Sequence, residues 1–182
     1  MKNINRYKNI SYKINHSELF LRSLKVEDTS EKYLGWMNDI EIVKFTEQKN
    51  KKHNFKDIKN YVDEKQNSKF DLLFGIFHNS DHIGNIKLGP INFNHKISEI
   101  SFFIGEKKYM NKGIMTKVIK YLINFSFKKL SLEKITAGCY SNNLGSKKVL
   151  LKCGFTIEGK RRRHVIYEKK RIDTLIFGIL KK

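Results

Sequence analysis

Between Ile104 and Leu122 the chain reads Ile-Gly-Glu-Lys-Lys-Tyr-Met-Asn-Lys-Gly-Ile-Met-Thr-Lys-Val-Ile-Lys-Tyr-Leu. An apolar run, Ile100 to Ile104, leads into a polar turn that carries Gly113, and the turn opens into an amphipathic helix from about Ile114. The first N–H groups of a helix have no partner within it, and the aligned peptide dipoles add roughly half a positive charge there. Bare turn amides ahead of a helix start make a receptor for phosphate or pyrophosphate. Taken alone, the segment is equally an ordinary helix start after a strand.

The neighbouring elements decide what such a turn would face. Leu19 to Leu24 reads as a first strand, Val26 to Asp39 has helical spacing, and Phe55 to Asn67 is a second helix with Asn54 as its cap. Phe70 to His78 and His82 to Leu88 are strands joined by the turn residues Asn79-Ser80-Asp81, which predicts a hairpin. Ile97 to Gly105 is a further strand. The helix over 113–130 buries Ile114, Val118, Ile119, Leu122 and Phe125 or Phe127. Lys134 to Tyr140 is a strand, Leu144 to Lys152 a short helix stopped by Gly154, and Thr156 to Tyr167 and Ile172 to Leu180 are closing strands. The order predicts an α+β fold: a mixed, mostly antiparallel sheet of about seven strands with about four helices on its faces. The crossover helix predicts that the strands on either side of it run parallel.

A length of 182 residues suits one domain, with residues 1–17 as a peripheral basic extension. No apolar run approaches the roughly 18 residues of a membrane span, and Met1 to Lys13 lacks a signal core, so a cytoplasmic protein is expected. Cys139 and Cys153 form neither a metal-ligand nor a disulfide pattern, and no metal is expected. The net charge of +19 favours anionic partners. Lys160-Arg161-Arg162-Arg163 and Lys169-Lys170-Arg171 are the densest basic clusters, but Lys is abundant throughout and aromatics do not alternate with the clusters as a base-stacking surface requires. Nucleic acid is therefore not the expected partner.

Four blocks together resemble the GCN5-related N-acetyltransferase (GNAT) superfamily, in its RimJ/RimL-like branch. They are Trp36-Met37-Asn38-Asp39; His82 through Leu88; the phosphate turn; and Asn142-Asn143-Leu144-Gly145-Ser146 through Lys152-Cys153-Gly154-Phe155, followed by Glu158-Gly159 and Asp173. The resemblance covers about residues 19–180. The turn departs from the usual Arg/Gln-x-x-Gly-x-Gly/Ala form: Met110 and Met115 stand at the first and last positions, and only Gly113 is retained. Backbone donors still serve the anion, but the Met115 side chain would crowd a pyrophosphate unless it turns into the core.

The resemblance implies acetyl-CoA as cosubstrate, held by Phe102, Phe103, Ile104, Met110, Asn111, Lys112, Gly113, Ile114, Met115, Thr116, Asn143 and Ser146. The strands over 97–104 and 134–140 would part to take the pantetheine arm, and an N–H near Phe102 or Phe103 would face the thioester carbonyl. Glu99 is the candidate general base, expected to be raised in pKa by apolar neighbours; the alternative is an exposed carboxylate paired with a Lys. Ser146 is the candidate donor to the leaving thiolate, or a helix-surface serine; Leu150 and Leu151 occupy the region where many relatives carry a tyrosine. Asn143 also reads as a helix cap.

Trp36, Asn38, His82 and Lys87 are the acceptor-side candidates, Trp36 being equally a core residue and His82 reading first as a surface histidine beside the hairpin. The hairpin and the last-helix block most resemble members that acetylate a 4-amino-sugar on a nucleotide diphosphate, which makes a nucleotide-linked amino sugar the expected partner. A protein N-terminal amine is the second reading, and a basic nucleic-acid-binding module on a degenerate scaffold the third. Relatives commonly form homodimers.

Overall fold

Apolar residues without a break, as in Leu72-Leu73-Phe74, require a strand covered on both faces. A computed structural model describes residues 4–8, 10–14 and 18–182 and places that strand third in an eight-stranded sheet, with neighbours on both edges. The strands are β1 (Ser11–Lys13), β2 (Leu19–Ser23), β3 (Leu72–His78), β4 (Asp81–Leu88), β5 (Ile97–Ile104), β6 (Lys134–Tyr140), β7 (Thr156–Tyr167) and β8 (Lys170–Leu180). Their spatial order is β1-β2-β3-β4-β5-β6-β8-β7, and only β5 and β6 run parallel. Over the described residues the helices are α1 (Glu31–Asn38), α2 (Ile40–Val43), α3 (Phe55–Asn67), α4 (Ile114–Lys128) and α5 (Leu144–Lys152).

The expected mixed fold, its hairpin and its one parallel pair are all present. Two short elements exceed the expected numbers. One is β1, three residues long and paired to β2; the other is α2, a single turn begun by Asp39, whose side chain accepts from Glu41 N–H. Elements this short carry no periodicity. The helix expected over Val26 to Asp39 divides into a 3-10 turn at Val26–Asp28 and α1, because Ser30 is extended and caps Tyr33 N–H at 3.3 Å.

Residues 4–8 and 10–14 depart from the peripheral extension expected over 1–17, because several of them enter the core. Among those described, Ile4, Tyr7 and Ile14 are buried in the main core, Tyr7 donates to Lys129 O at 3.0 Å, and its ring meets Phe125 edge-on. The apolar residues are too widely spaced there to signal burial in sequence.

The main core lies between the sheet and α4, whose Ile114, Met115, Val118, Ile119, Leu122 and Phe125 meet Phe74, Ile86, Ile100 and Ala137. A smaller core occupies the opposite face, where Tyr33, Trp36, Ile58 and Val62 pack on Leu73. On this opposite face the helices leave the sheet accessible where β5 and β6 meet, and Glu99 and Ser101 are exposed there.

Candidate active site

β5 and β6 pair from Ile97 opposite Lys134 to Ile100 opposite Ala137, and there the ladder stops. Beyond it β5 remains paired to β4 as far as Ile104, and β6 to β8 as far as Tyr140. Each strand therefore keeps one satisfied edge and turns one free edge toward the gap. Unpaired strand edges are ready donors and acceptors for an extended, amide-bearing ligand. Phe102, Phe103 and Ile104 lie on the β5 side of this gap.

Asn111 and Gly113 both occupy the left-handed region, at φ 59° and 73°, and so curl the chain before α4. The amides of Asn111, Lys112, Gly113, Ile114, Met115 and Thr116 have no acceptor among the described residues; the first helical bond is Lys117 N–H to Gly113 O at 3.2 Å. A Cβ on Gly113 would meet nothing within 4 Å, so the approach to these amides is open. Met115 is buried in the main core. The crowding considered from sequence does not arise, because Met115 follows the helix stripe and leaves the polar positions outward. The residues fit a pyrophosphate.

α5 begins directly after β6. Asn143 caps it, accepting from Ser146 N–H at 3.1 Å, so the Asn143 carboxamide oxygen is already engaged. The Ser146 hydroxyl is half-buried and has no partner among the described residues. Cys153 Sγ lies 3.6 Å from Thr116 O, which brings the end of α5 against the first turn of α4.

On the other side of the gap the sheet forms a floor. Glu99 stands opposite Thr136 and, with Ser101, is exposed; neither is covered by a helix. Glu99 has no ion pair or side-chain hydrogen bond among the described residues. The apolar enclosure expected for it is absent, because alternation along β5 sends Ile100 inward and Glu99 outward. A strap, residues 39–53, crosses this side of the sheet. Asp39 meets Lys107 at 2.6 Å, Glu47 accepts from the Tyr140 hydroxyl at 2.7 Å, Phe45 stacks on Tyr167 at 5.3 Å, and Lys49 donates to Ile166 O at 2.7 Å. Burial and then the Glu47 carboxylate push the Tyr140 phenol well above its ordinary range.

A parted parallel pair above an amide-lined helix start is the geometry the four sequence blocks implied, and the family description "Acetyltransferase (GNAT) domain" matches residues 18–156. The chain belongs to the GNAT acetyltransferase family. A probable N-acetyltransferase of Bacillus subtilis, YjcK, is 36% identical over 110 residues, which is 59% of this chain and 60% of that protein. The chain thus spans about three fifths of the length of the curated relatives it matches first. Among solved structures, the Vibrio cholerae spermidine N-acetyltransferase in complex with CoA and spermine has a TM-score of 0.81 at 22% identity, covering 90% of this chain and 95% of that one. The microcin C7 self-immunity acetyltransferase MccE, in complex with acetyl-CoA and AMP, has a TM-score of 0.81 at 20% identity, covering 97% and 99%. Both likenesses are of fold.

Within this GNAT scaffold the acceptor-side candidates separate. Trp36 is buried, donates to Glu106 Oε1 at 3.0 Å and lies against Gly105 and Phe103. Asn38 is consumed by the strap: its amide accepts from His53 N–H at 2.9 Å and donates to His53 O at 3.0 Å. His82 is not the surface histidine that its place beside the hairpin turn suggested. Its ring is enclosed by Phe77, Trp36 and Tyr33, Nε2 lies 2.7 Å from Asn85 Oδ1 and 3.1 Å from Gly84 O, and burial lowers its pKa. Lys87 shares the floor's side of the sheet with Ser101, its Nζ 3.9 Å from Asp71. No group of three or more metal-ligating side chains occurs among the described residues.

Sequence reasoning missed Tyr140, Glu47, Phe45 and Tyr167. Tyr140 and Glu47 are separated by 93 residues, and no local pattern marks a pair so distant. The one available signal was position: Tyr140 ends the strand that leads into Asn142-Asn143.

Proposed function

We propose that this protein transfers the acetyl group of acetyl-CoA to the primary amine of an anionic acceptor, a nucleotide-linked amino sugar. The parting of β5 and β6 after Ile100 and Ala137 carries the reading. It joins the amides around Gly113 to the open floor at Glu99, so a donor on one side meets an acceptor on the other. Acetyl transfer requires a neutral amine, because an ammonium has no lone pair. The Glu99 carboxylate is free to accept that proton, directly or through the water an exposed position retains. A free N–H at Phe102 or Phe103 would donate to the thioester oxygen as negative charge develops on it. Ser146, with its hydroxyl unengaged, would donate to the departing thiolate.

Basic residues border the acceptor side: Lys49 on the strap and the arginines of β7. This supports an anionic acceptor over a polyamine. The AMP bound by MccE shows that a protein of this fold accommodates a nucleotide. The openness of the floor at Glu99 and Ser101 also favours, as a second reading, the amine of a peptide N-terminus.

The test is thiol release from acetyl-CoA with nucleotide-linked amino sugars, N-terminal peptides and spermidine as acceptors. Turnover with the first class is expected, and Glu99→Gln should lower it by about two orders of magnitude. Preference for peptide or spermidine would replace the acceptor. Failure of acetyl-CoA to bind by calorimetry would leave only a basic module on this scaffold.

A further inference from the structure

β7 departs from its ladder with β8 between Arg161, opposite Thr174, and Val165, opposite Ile172. Three residues, Arg162, Arg163 and His164, face the single residue Asp173. Such bulges re-aim side chains and recur beside functional sites. This one is held in place: Asp173 Oδ1 accepts from Arg163 N–H at 2.7 Å, Asp173 Oδ2 meets Lys160 Nζ at 3.3 Å, and Arg171 donates to Arg163 O at 3.2 Å. Arg163 adopts φ 49°, unfavourable for a side chain of its size. His164 is turned to place Nδ1 3.2 Å from the Thr174 hydroxyl.

Register fixes where this bulge looks. Arg161 pairs with Thr174, Thr174 with Tyr140, and Thr136 with Glu99, so these side chains share the floor's face of the sheet. The carboxylates around its outer part already have partners: Asp173 as described, Glu47 with Tyr140, and Glu158 with Lys134 at 2.7 Å. Arg161 is exposed and has no carboxylate partner among the described residues. Three strand spacings and four residues of rise separate Glu99 from Arg161, about 20 Å between Cα atoms and about 10 Å between the charged ends once the side chains extend. A hexose joined to a diphosphate spans a gap of that order between its far amine and its phosphates.

Building on the acetyl-transfer reading, we propose that the β7 bulge is an acceptor-anchoring site, in which Arg161 and His164, flanking Thr174, bind the diphosphate of a nucleoside-diphosphate-linked acceptor. The half-buried rings of Phe45 and Tyr167, next to the bulge, favour a nucleotide over an acidic peptide.

The experiment measures UDP binding by calorimetry to the full chain in the presence of excess CoA, for the unsubstituted protein, Arg161→Ala, and Lys120→Ala as an equal charge loss on the remote outer side of α4. UDP is expected to bind, to weaken about tenfold or more with Arg161→Ala and less than twofold with Lys120→Ala. Inhibition of acetyl transfer by UDP is expected to be competitive with the acceptor and not with acetyl-CoA. Equal UDP affinity in the three proteins, absence of UDP binding, or competition with acetyl-CoA would overturn the proposal. Acetyl-CoA binding, measured in parallel, separates the two readings. If it is present while Arg161 is irrelevant to UDP, only the anchoring site falls. If it is absent while UDP still requires Arg161, the donor reading falls and the anchoring site stands.

Discussion

The Tyr140 hydroxyl donates to the Glu47 carboxylate at 2.7 Å, and this bond ties the strap to the end of β6 where the sheet has parted. A neutral donor on an ionised acceptor is worth about 1.5–3 kcal/mol when partly shielded from water. Tyr140→Phe keeps the ring contact with Phe45 and removes only the bond. Steady-state kinetics should show the acceptor KM raised about tenfold with the acetyl-CoA KM unchanged. An unchanged acceptor KM would mean that the strap does not shape the acceptor side.

Gly113 holds φ 73° at the entrance to α4. Left-handed geometry costs a β-branched residue about 1–2 kcal/mol, and relaxing that cost would turn the amides away from a shared point. Gly113→Val should raise the acetyl-CoA KM at least about tenfold at an unchanged acceptor KM, the reverse of the Tyr140→Phe pattern. Equal effects on both substrates would indicate general misfolding of the turn.

Gly105 admits the Trp36 ring so closely that a Cβ there would overlap it. Gly105→Ala must displace the indole and strain its bond to Glu106. Overpacking of this kind costs about 1–3 kcal/mol, which thermal unfolding should show as a lowered Tm. An unaltered Tm would mean that α1 moves freely relative to β5.

Burial lowers the pKa of both His82 and His53, first through desolvation in each case. Both are therefore favoured neutral in the folded chain, while the unfolded chain binds their protons near pH 6.5. Their contribution is complete above about pH 6.5 and is lost as pH falls toward the depressed folded values. Urea midpoints should drop between pH 7 and pH 5, and His82→Gln should flatten part of that drop. An identical slope in the variant would assign the pH dependence elsewhere.

The regular elements were legible because their signals are local. Phe55–Asn67 has the predicted bounds and its Asn54 cap, with Asn54 and Asp57 forming a reciprocal capping box. Lys134–Tyr140 and Leu144–Lys152 also match, and the crossover through α4 correctly implied one parallel pair. Ser11–Lys13 and Ile40–Val43 were not legible, being too short to show a period. His82 could not be placed from sequence because it lies just after the Asn79-Ser80-Asp81 turn, where a surface position is the ordinary outcome, whereas its neighbours in space are Phe77, Trp36 and Tyr33.

By itself the sequence determined the order of strands and helices and the turn at Gly113, since alternation, helical spacing, caps and glycine conformations act over a few residues. Only the tertiary structure decided that β5 and β6 separate after Ile100, that Met115 enters the core, that Glu99 stays in solvent, and that Glu47 reaches Tyr140. Those outcomes depend on which side of an element meets which distant partner, and contacts between residues far apart in the chain form only once the sheet has assembled.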